Sequence, residues 1–385
     1  MNARTATFGV FFVNGAVIGT WVAHIPWTQD RFDLSESTLG LVLLTMSIGV
    51  IVTLPIMGQA IVRLGSARST RLAGCVCVAL LPLPLLAPEP WSLPVALAAL
   101  GASSGAMDVS MNAHGVWVER VVRRPVMSWL HAGWSFGGLA GAMLVVIGGA
   151  AGLDPHVEAV LAAGVLGALL AFVLRRLGAG SSVAEGPTGF VRPTRAVVPL
   201  AVLCLLIMVT EGAMADWGGV YLRRDLGTSA SAAALAFASF SGGMTAGRLF
   251  GDRLNHRLGA FAVMRCGGAL AGVALGTMLL AGVPAVAITG FFLIGLGLAN
   301  GVPLVISAAG HAPARESGPN IAAVSSMGSI GFLAGPPFIG FLAEAASLPL
   351  ALATLCLGMA VVVLAARAVG PAPVGPPAVN PSPTR

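Results

Sequence analysis

The sequence predicts an all-α membrane protein whose twelve transmembrane helices form two six-helix halves arranged as parallel repeats. Three observations support this fold class. The composition is 56% hydrophobic and 9% charged, whereas a soluble domain carries about 25% charged residues. Twelve apolar stretches follow one another along the chain, and the second half of the sequence repeats features of the first.

The apolar stretches have the length of helices that cross the hydrocarbon core of a bilayer. The first is expected to remain a membrane helix rather than a cleaved signal peptide, because Asn14 interrupts it and no small-residue cleavage motif follows. Pro82 and Pro84 predict a kink in the third. We place the twelve spans at residues 6–27, 38–62, 70–88, 92–118, 126–151, 156–177, 196–221, 229–251, 259–281, 284–310, 319–344 and 347–369.

The chain divides at residues 178–195, a stretch rich in glycine, serine and proline that predicts a cytoplasmic central loop. The N-terminal six-helix half then covers residues 1–177 and the C-terminal half residues 196–369. Residues 370–385 are proline-rich and contain little that a fold could bury. They therefore predict a disordered tail.

The arginines predict the orientation of the chain in the membrane. All 21 basic residues are arginines, and a cytoplasmic amino terminus leaves only Arg31, Arg223 and Arg224 on the outer side. Cytoplasmic loops of membrane proteins carry the excess of arginine. We therefore expect a multi-pass protein of the cytoplasmic (inner) membrane with both termini in the cytoplasm.

An internal repeat supports the division into halves. A shift of 194 residues superposes several short motifs, and agreement at a single offset is more informative than any one match in a glycine-rich chain. The superposed pairs are residues 63–65 with 257–259, Ser47 and Gly49 with Ser241 and Gly243, Gly101 with Gly295, and residues 135–141 with 329–335. Parallel repeats of this kind place the substrate site at mid-membrane between the halves.

These features resemble the major facilitator superfamily. Its signature after the second span appears here as Gly58-Gln-Ala-Ile-Val-Arg-Leu-Gly-Ser-Ala-Arg68, with Val62 at the acidic position of the family. The second half has Gly247-Arg-Leu-Phe-Gly-Asp-Arg253. In the family these loops brace the halves in one conformation. The resemblance therefore implies a role in conformational gating for Arg63, Gly65, Arg68, Asp252 and Arg253.

Four further motifs resemble the branch of this superfamily near the fucose permeases, which has many uncharacterised bacterial members. They are Asp108-Val-Ser-Met-Asn112, the stretch from His131 to Ser135, Glu211-Gly-Ala-Met-Ala-Asp-Trp217, and Gly335-Pro-Pro followed by Gly340. The resemblance extends over about residues 5–370.

Two acids are candidates for proton coupling. Asp108 shares a helix face with Ser104 and Asn112, and a carboxylate at membrane depth costs about 2.5–3.5 kcal/mol unless it finds a partner or a proton. We hypothesise that Asp108 takes up and releases a proton; the alternative is a hydrogen-bonded aspartate that locks two helices together. Glu211 is the second candidate, with a pair to Arg248 as its alternative. Asp216 is expected at the membrane interface.

The candidate substrate contacts are amide, hydroxyl, imidazole and indole groups on predicted inward faces: Asn14, Trp21, Asn112, His131, Trp134, Ser135, Asn300 and Ser307. Amides at membrane depth also hold helices together, and tryptophans also form interfacial belts, so both alternatives remain open. We expect Arg248 to form a local pair with Asp252 one turn away. No obvious anion-binding arginine is predicted at mid-depth.

The function indicated is secondary active transport of a small polar, sugar-like solute by proton-coupled alternating access. The expected partners are the solute, protons and the lipid bilayer. The alternative is a proton-driven efflux pump for a drug or metabolite. A serine protease site at Gly101-Ala-Ser-Ser-Gly105 would need a histidine on a facing helix at the same depth. The histidines lie mostly near the ends of the predicted spans, so we expect no enzyme. We also expect no cofactor, no metal site, no nucleic-acid partner, and a monomer.

Overall fold

A computed structural model of the chain describes residues 3–124, 126–180, 197–310 and 317–370, without the side chains of Asp252 and Ser317. The predicted disordered tail lies outside these residues, apart from Gly370. Most of the predicted central loop lies outside them as well.

Within the described residues the chain is helical throughout. The first half contains α1 (Ala3–Phe32), α2 (Glu36–Leu64), α3 (Ser66–Leu80), α4 (Leu93–Val122), α5 (Met127–Ala150) and α6 (Pro155–Leu174). The second half contains α7 (Val198–Val220), α8 (Ala230–Ala233), α9 (Leu235–Leu258), α10 (Ala260–Ala281), α11 (Pro284–Leu298), α12 (Gly301–Gly310), α13 (Ser317–Ala345) and α14 (Leu348–Ala365). Because α8 leads into α9 and α11 into α12, these helices correspond to the twelve predicted spans.

Ten helical segments of the described chain are long and apolar enough to cross a membrane. The other two spans fall short for local reasons. Helix α3 has 15 residues and ends just before Pro82, because proline removes a backbone donor and clashes with the preceding turn. The last turns of α9 carry Arg253, His256 and Arg257. The all-helical membrane fold expected from the sequence is confirmed.

The helices pack in a pattern that occurs twice. In the first half α1 packs against α5, α2 against α4, and α3 against α6. In the second half the corresponding pairs are α7 with α13, α9 with α11, and α10 with α14. Across the halves α5 packs against α9, and α13 packs against α2. The two cross-half contacts are equivalent under the repeat, so the molecule has an internal twofold pattern.

Glycines at the helix crossings repeat with the same spacing as the sequence motifs. A Cβ atom on Gly101 would overlap the carbonyl oxygen of Met46, where α4 crosses α2. At the equivalent crossing of α11 and α9, a Cβ on Gly295 would overlap the carbonyl oxygen of Phe240. Each crossing therefore depends on a glycine that lets two backbones approach closely.

The turns that follow α2 and α9 are also equivalent. Gly65 has φ 82° and ψ 155°, and Gly259 has φ 80° and ψ 156°. Positive φ values of this size favour glycine because a Cβ would be strained there. The two glycines are 194 residues apart, so residues that are equivalent in the sequence repeat also have nearly the same backbone angles.

Ion pairs join the halves at the end of the molecule where α1 turns into α2. Arg223 donates to Asp30 across 2.8 Å. Arg224 lies 3.5 Å from Asp30 and 3.6 Å from Glu36. We call these four residues the end latch; they hold the start of α2 and the end of α1 against the segment after α7.

Candidate substrate site

A cavity of about 240 Å³ lies between the two halves. Helices α1, α2, α4 and α5 supply its walls on one side, and α7, α9 and α13 supply them on the other. All of these helices except α4 also contact the opposite half, so a change in the angle between the halves changes the cavity. This is the position at which repeat-built transporters bind their substrates.

Three carboxylates line the cavity. Asp108 projects from α4, and Glu211 and Asp216 project from α7. The side chain of Asp108 is solvent-accessible despite its position within a membrane span, because it borders the cavity. It accepts a hydrogen bond of 3.1 Å from the amide of Asn112, one turn along α4. Both halves therefore present acids to the same space.

Asn14 joins three helices on one wall of the cavity. Its amide nitrogen lies 3.4 Å from the hydroxyl of Ser104 and 3.5 Å from the Ser104 carbonyl oxygen on α4. Its amide oxygen accepts a hydrogen bond of 2.9 Å from the indole nitrogen of Trp134 on α5. Asn14, Trp134 and Ser104 all line the cavity. The network fixes the orientation of the indole ring, and it occupies both polar ends of the Asn14 amide.

Arg248 links the halves beside the cavity. It lies 3.6 Å from Glu211 on α7 and donates a hydrogen bond to the hydroxyl of Ser135 on α5. The arginine and glutamate side chains are 15% and 13% exposed. The arginine beside the cavity is therefore already paired, and the absence of an obvious anion-binding arginine at mid-depth stays a prediction. The pair with Glu211, one of the two expected partners, is present; the side chain of Asp252, the other expected partner, lies outside the described residues.

Asp216, which is expected near the outer membrane interface, also lines the cavity. Helix α7 contacts α1 and α9 as well as α13, so the cavity reaches more than one side of it. Residues five apart on a helix differ by about 140° in direction. Glu211 and Asp216 nevertheless reach the same cavity, because the cavity extends around more than one side of α7.

Most of the remaining wall is apolar and aromatic. It includes the rings of Trp134, Phe237, Phe240 and Phe332 and the side chains of Met46 and Met244. Such a surface suits the apolar body of an organic molecule, while a few polar groups fix its orientation.

Three serines in the cavity were not among the candidate substrate contacts: Ser47, Ser104 and Ser241. Ser47 on α2 and Ser241 on α9 line opposite sides. They are equivalent under the 194-residue repeat, which had superposed them as a motif. Placing the repeat pairs on the walls between the halves would have identified both.

Several predicted contacts lie away from the cavity wall. Trp21 is 1% exposed and packed in the core. His131 packs edge-on against Phe11 with ring centroids 5.4 Å apart. Asn300 donates to the carbonyl of Gly247 across 3.1 Å, and Ser307 lies on an exposed face of α12.

The predicted gating residues lie at the end opposite the end latch, around the α2–α3 turn and the last turns of α9. Arg63, Arg68 and Arg253 are exposed. The position of Asp252 is on α9, but its side chain lies outside the description. No group of three His, Cys, Asp or Glu residues suited to a metal ion occurs in the described part of the chain.

Relatives of this chain include bacterial membrane proteins. A family model described as Major Facilitator Superfamily matches residues 200–384. An uncharacterised MFS-type transporter of Yersinia pestis is 34% identical over 373 residues, with 96% of each chain covered. Membrane protein MosC of Rhizobium meliloti is 32% identical over 354 residues, covering 90% of this chain and 85% of MosC.

Solved structures of transporters have the same fold. The nucleoside transporter NupG matches with a TM-score of 0.71 at 12% identity, covering 96% of this chain and 99% of NupG. The fucose:proton symporter FucP of E. coli matches with a TM-score of 0.63 at 16% identity, covering 96% and 98% of the two chains. At these identities the match concerns the fold alone.

Proposed function

The chain belongs to the major facilitator superfamily, and from this premise we propose that it moves a small organic solute by proton-coupled alternating access. The superfamily consists of secondary transporters and not of enzymes, and the protein is a multi-pass membrane protein. The finer statements, on coupling and on substrate, are the proposal.

The observation that carries the proposal is the position of the three acids. A cavity between two rocking halves is exposed first to one side of the membrane and then to the other. Asp108 borders this cavity without a cationic partner among the described side chains. An acid in that position takes a proton on one side and releases it on the other as its surroundings change. We assign proton coupling to Asp108, with Glu211 in support through its pair with Arg248.

Orientation follows from the same proposal. With both termini in the cytoplasm, the end latch lies on the outer side and holds the halves together there. The exposed arginines after α2 and in α9 then face the cytoplasm, as the excess of arginine in cytoplasmic loops requires. The cavity accordingly opens inward in this conformation.

The walls support an organic solute with an apolar part. The sugar-like substrate expected from the sequence rests on amide and hydroxyl groups, yet the amide of Asn14 and the hydroxyl of Ser135 already have partners. The aromatic rings favour the alternative, a drug or metabolite carried outward by the same mechanism. The direction of transport under a fixed proton gradient distinguishes import from efflux.

Substrate-dependent proton movement tests the proposal. Purified protein is placed in liposomes that contain a pH-sensitive dye, and a library of sugars, amines and aromatic metabolites is added outside. We expect at least one compound to cause proton movement in the unmodified protein. Asp108→Asn should abolish that movement, because an amide cannot carry the proton.

The control is Asp33→Asn. Asp33 is an exposed residue with φ 47° after α1, a conformation that asparagine also adopts, so this variant removes one carboxylate away from the cavity. It should keep normal proton movement. Unchanged proton movement in Asp108→Asn would refute the assignment of coupling to Asp108.

A further inference from the structure

The cavity has an imbalance of charge. Three carboxylates line it, and the one arginine beside it among the described residues pairs with Glu211. Asp108 receives a hydrogen bond from Asn112 and has no ion-pair partner in the described structure. Asp216 has neither a hydrogen bond nor an ion pair to any described group. Two carboxylates therefore remain uncompensated in a space enclosed by membrane-spanning helices.

These two acids lie on different walls. Asp108 is carried by the first half and Asp216 by the second, with the cavity between them. A carboxylate without a partner in a cavity between membrane-spanning helices is costly, and a positive charge within the cavity offsets that cost for both groups. A group with several N–H donors, such as an ammonium, also supplies the missing hydrogen bonds.

The rest of the cavity wall also favours a positively charged ligand. Trp134 and three phenylalanines present ring faces or edges to the cavity, and aromatic faces attract cations over a distance of about 6 Å. A neutral polyol would find few free partners here, because Asn14 and Ser135 are engaged. An anion would meet two like charges, and Arg248 is already shared between Glu211 and Ser135.

We infer that the substrate is an organic cation, a protonated amine on an aromatic or apolar body, whose charge lies between Asp108 and Asp216. This inference rests on the proposed transport function and names its substrate class. It extends the role of the acids, because Asp216 then binds the solute while Asp108 serves both solute and proton.

Equilibrium binding to the purified full-length protein tests the inference without any gradient. Calorimetric titrations compare tryptamine, its neutral counterpart tryptophol, and indole-3-acetate, three ligands with one ring system and charges of plus one, zero and minus one. Benzylamine and benzyl alcohol provide a smaller pair. We expect each amine to bind at least tenfold more tightly than its alcohol, and the acetate not to bind.

Two variants test whether Asp108 and Asp216 cause the preference for amines over alcohols. Asp216→Asn should reduce the affinity for the amines at least tenfold and leave the affinity for the alcohols within twofold, and Asp108→Asn should do the same independently in the other half. Asp33→Asn, which removes a carboxylate outside the cavity, should change nothing. Thermal melting of each variant identifies any that is misfolded. If one cavity variant is misfolded, the amine affinity of the other tests the inference.

The inference is overturned if the amines show no advantage over the alcohols, including the case in which no amine binds. It is equally overturned if the advantage survives in both Asp108→Asn and Asp216→Asn. Selective amine binding without proton movement in liposomes would support the organic-cation substrate and contradict the proposed proton coupling. Proton movement driven only by neutral compounds would support the coupling and contradict the organic-cation substrate.

Discussion

The pair between Arg248 and Glu211 is the most constrained ionic contact of the cavity. Both side chains are mostly buried, and the arginine also holds Ser135 of the other half. A buried pair contributes little net stability when complete, but removing one partner leaves an uncompensated charge. The stabilities of single and double variants therefore show whether the two side chains interact.

We predict that Arg248→Met and Glu211→Met each destabilise the protein by about 3 kcal/mol, and that the double variant recovers most of this loss because neither charge is left alone. Thermal melting in detergent measures the three variants against the unmodified chain. If the two single effects simply add in the double variant, the side chains do not form the pair described here.

Single residues were only partly predictable from the sequence. The patterns brought Asp108, Asn14, Glu211, Trp134 and Ser135 to attention, and all five line the cavity. The pair of Arg248 with Glu211 was one of two alternatives, because a helix pattern shows neighbours one turn away and does not rank them against those on a facing helix. Spacing favoured Asp252, whereas helix packing presents Glu211 and Ser135.

At the scale of helices, the glycine crossings explain how α2 meets α4 and α9 meets α11. Apolar burial cannot drive this association in a membrane, where lipid is as apolar as the helix surface, so close backbone packing takes its place. The crossings at Gly101 and Gly295 should accordingly tolerate no side chain.

We predict that Gly101→Ala and Gly295→Ala both lower the melting temperature and the yield of folded protein, because the new methyl group would overlap a carbonyl oxygen. Gly164→Ala on α6 is the matched control, since no atom lies within 4 Å of a Cβ there. That change should be neutral or stabilising by up to about 1 kcal/mol through helix propensity. Equal tolerance of all three substitutions would contradict the crossing geometry.

The helices themselves were largely predictable. Long apolar stretches predict membrane helices well because a bilayer leaves the backbone no other way to satisfy its hydrogen bonds. The third span differs: residues 70–88 were expected, and α3 covers Ser66–Leu80. Its start is set by the turn at Gly65 and its end by the approach to Pro82. Both depend on local backbone geometry rather than on hydropathy.

For the whole molecule, the proposed alternating access makes the end latch and the cavity features of one of two conformations. The side chains of the latch are about one-third exposed, and ion pairs of this kind are worth about 0.2–1 kcal/mol each. Losing the pairs of Asp30 should thus shift the balance between the two conformations several-fold without unfolding the protein.

Alternating access through this cavity is the central claim, and labelling of one cavity residue from each side of the membrane tests it most directly. Ser47→Cys is introduced into a chain whose five native cysteines are replaced, and an impermeant thiol reagent is applied to either face of sealed vesicles. We predict faster labelling from the cytoplasmic face, slower but measurable labelling from the outer face, and a several-fold shift toward the outer face when Asp30→Asn is added. Labelling from one face only, unchanged by Asp30→Asn, would contradict the account.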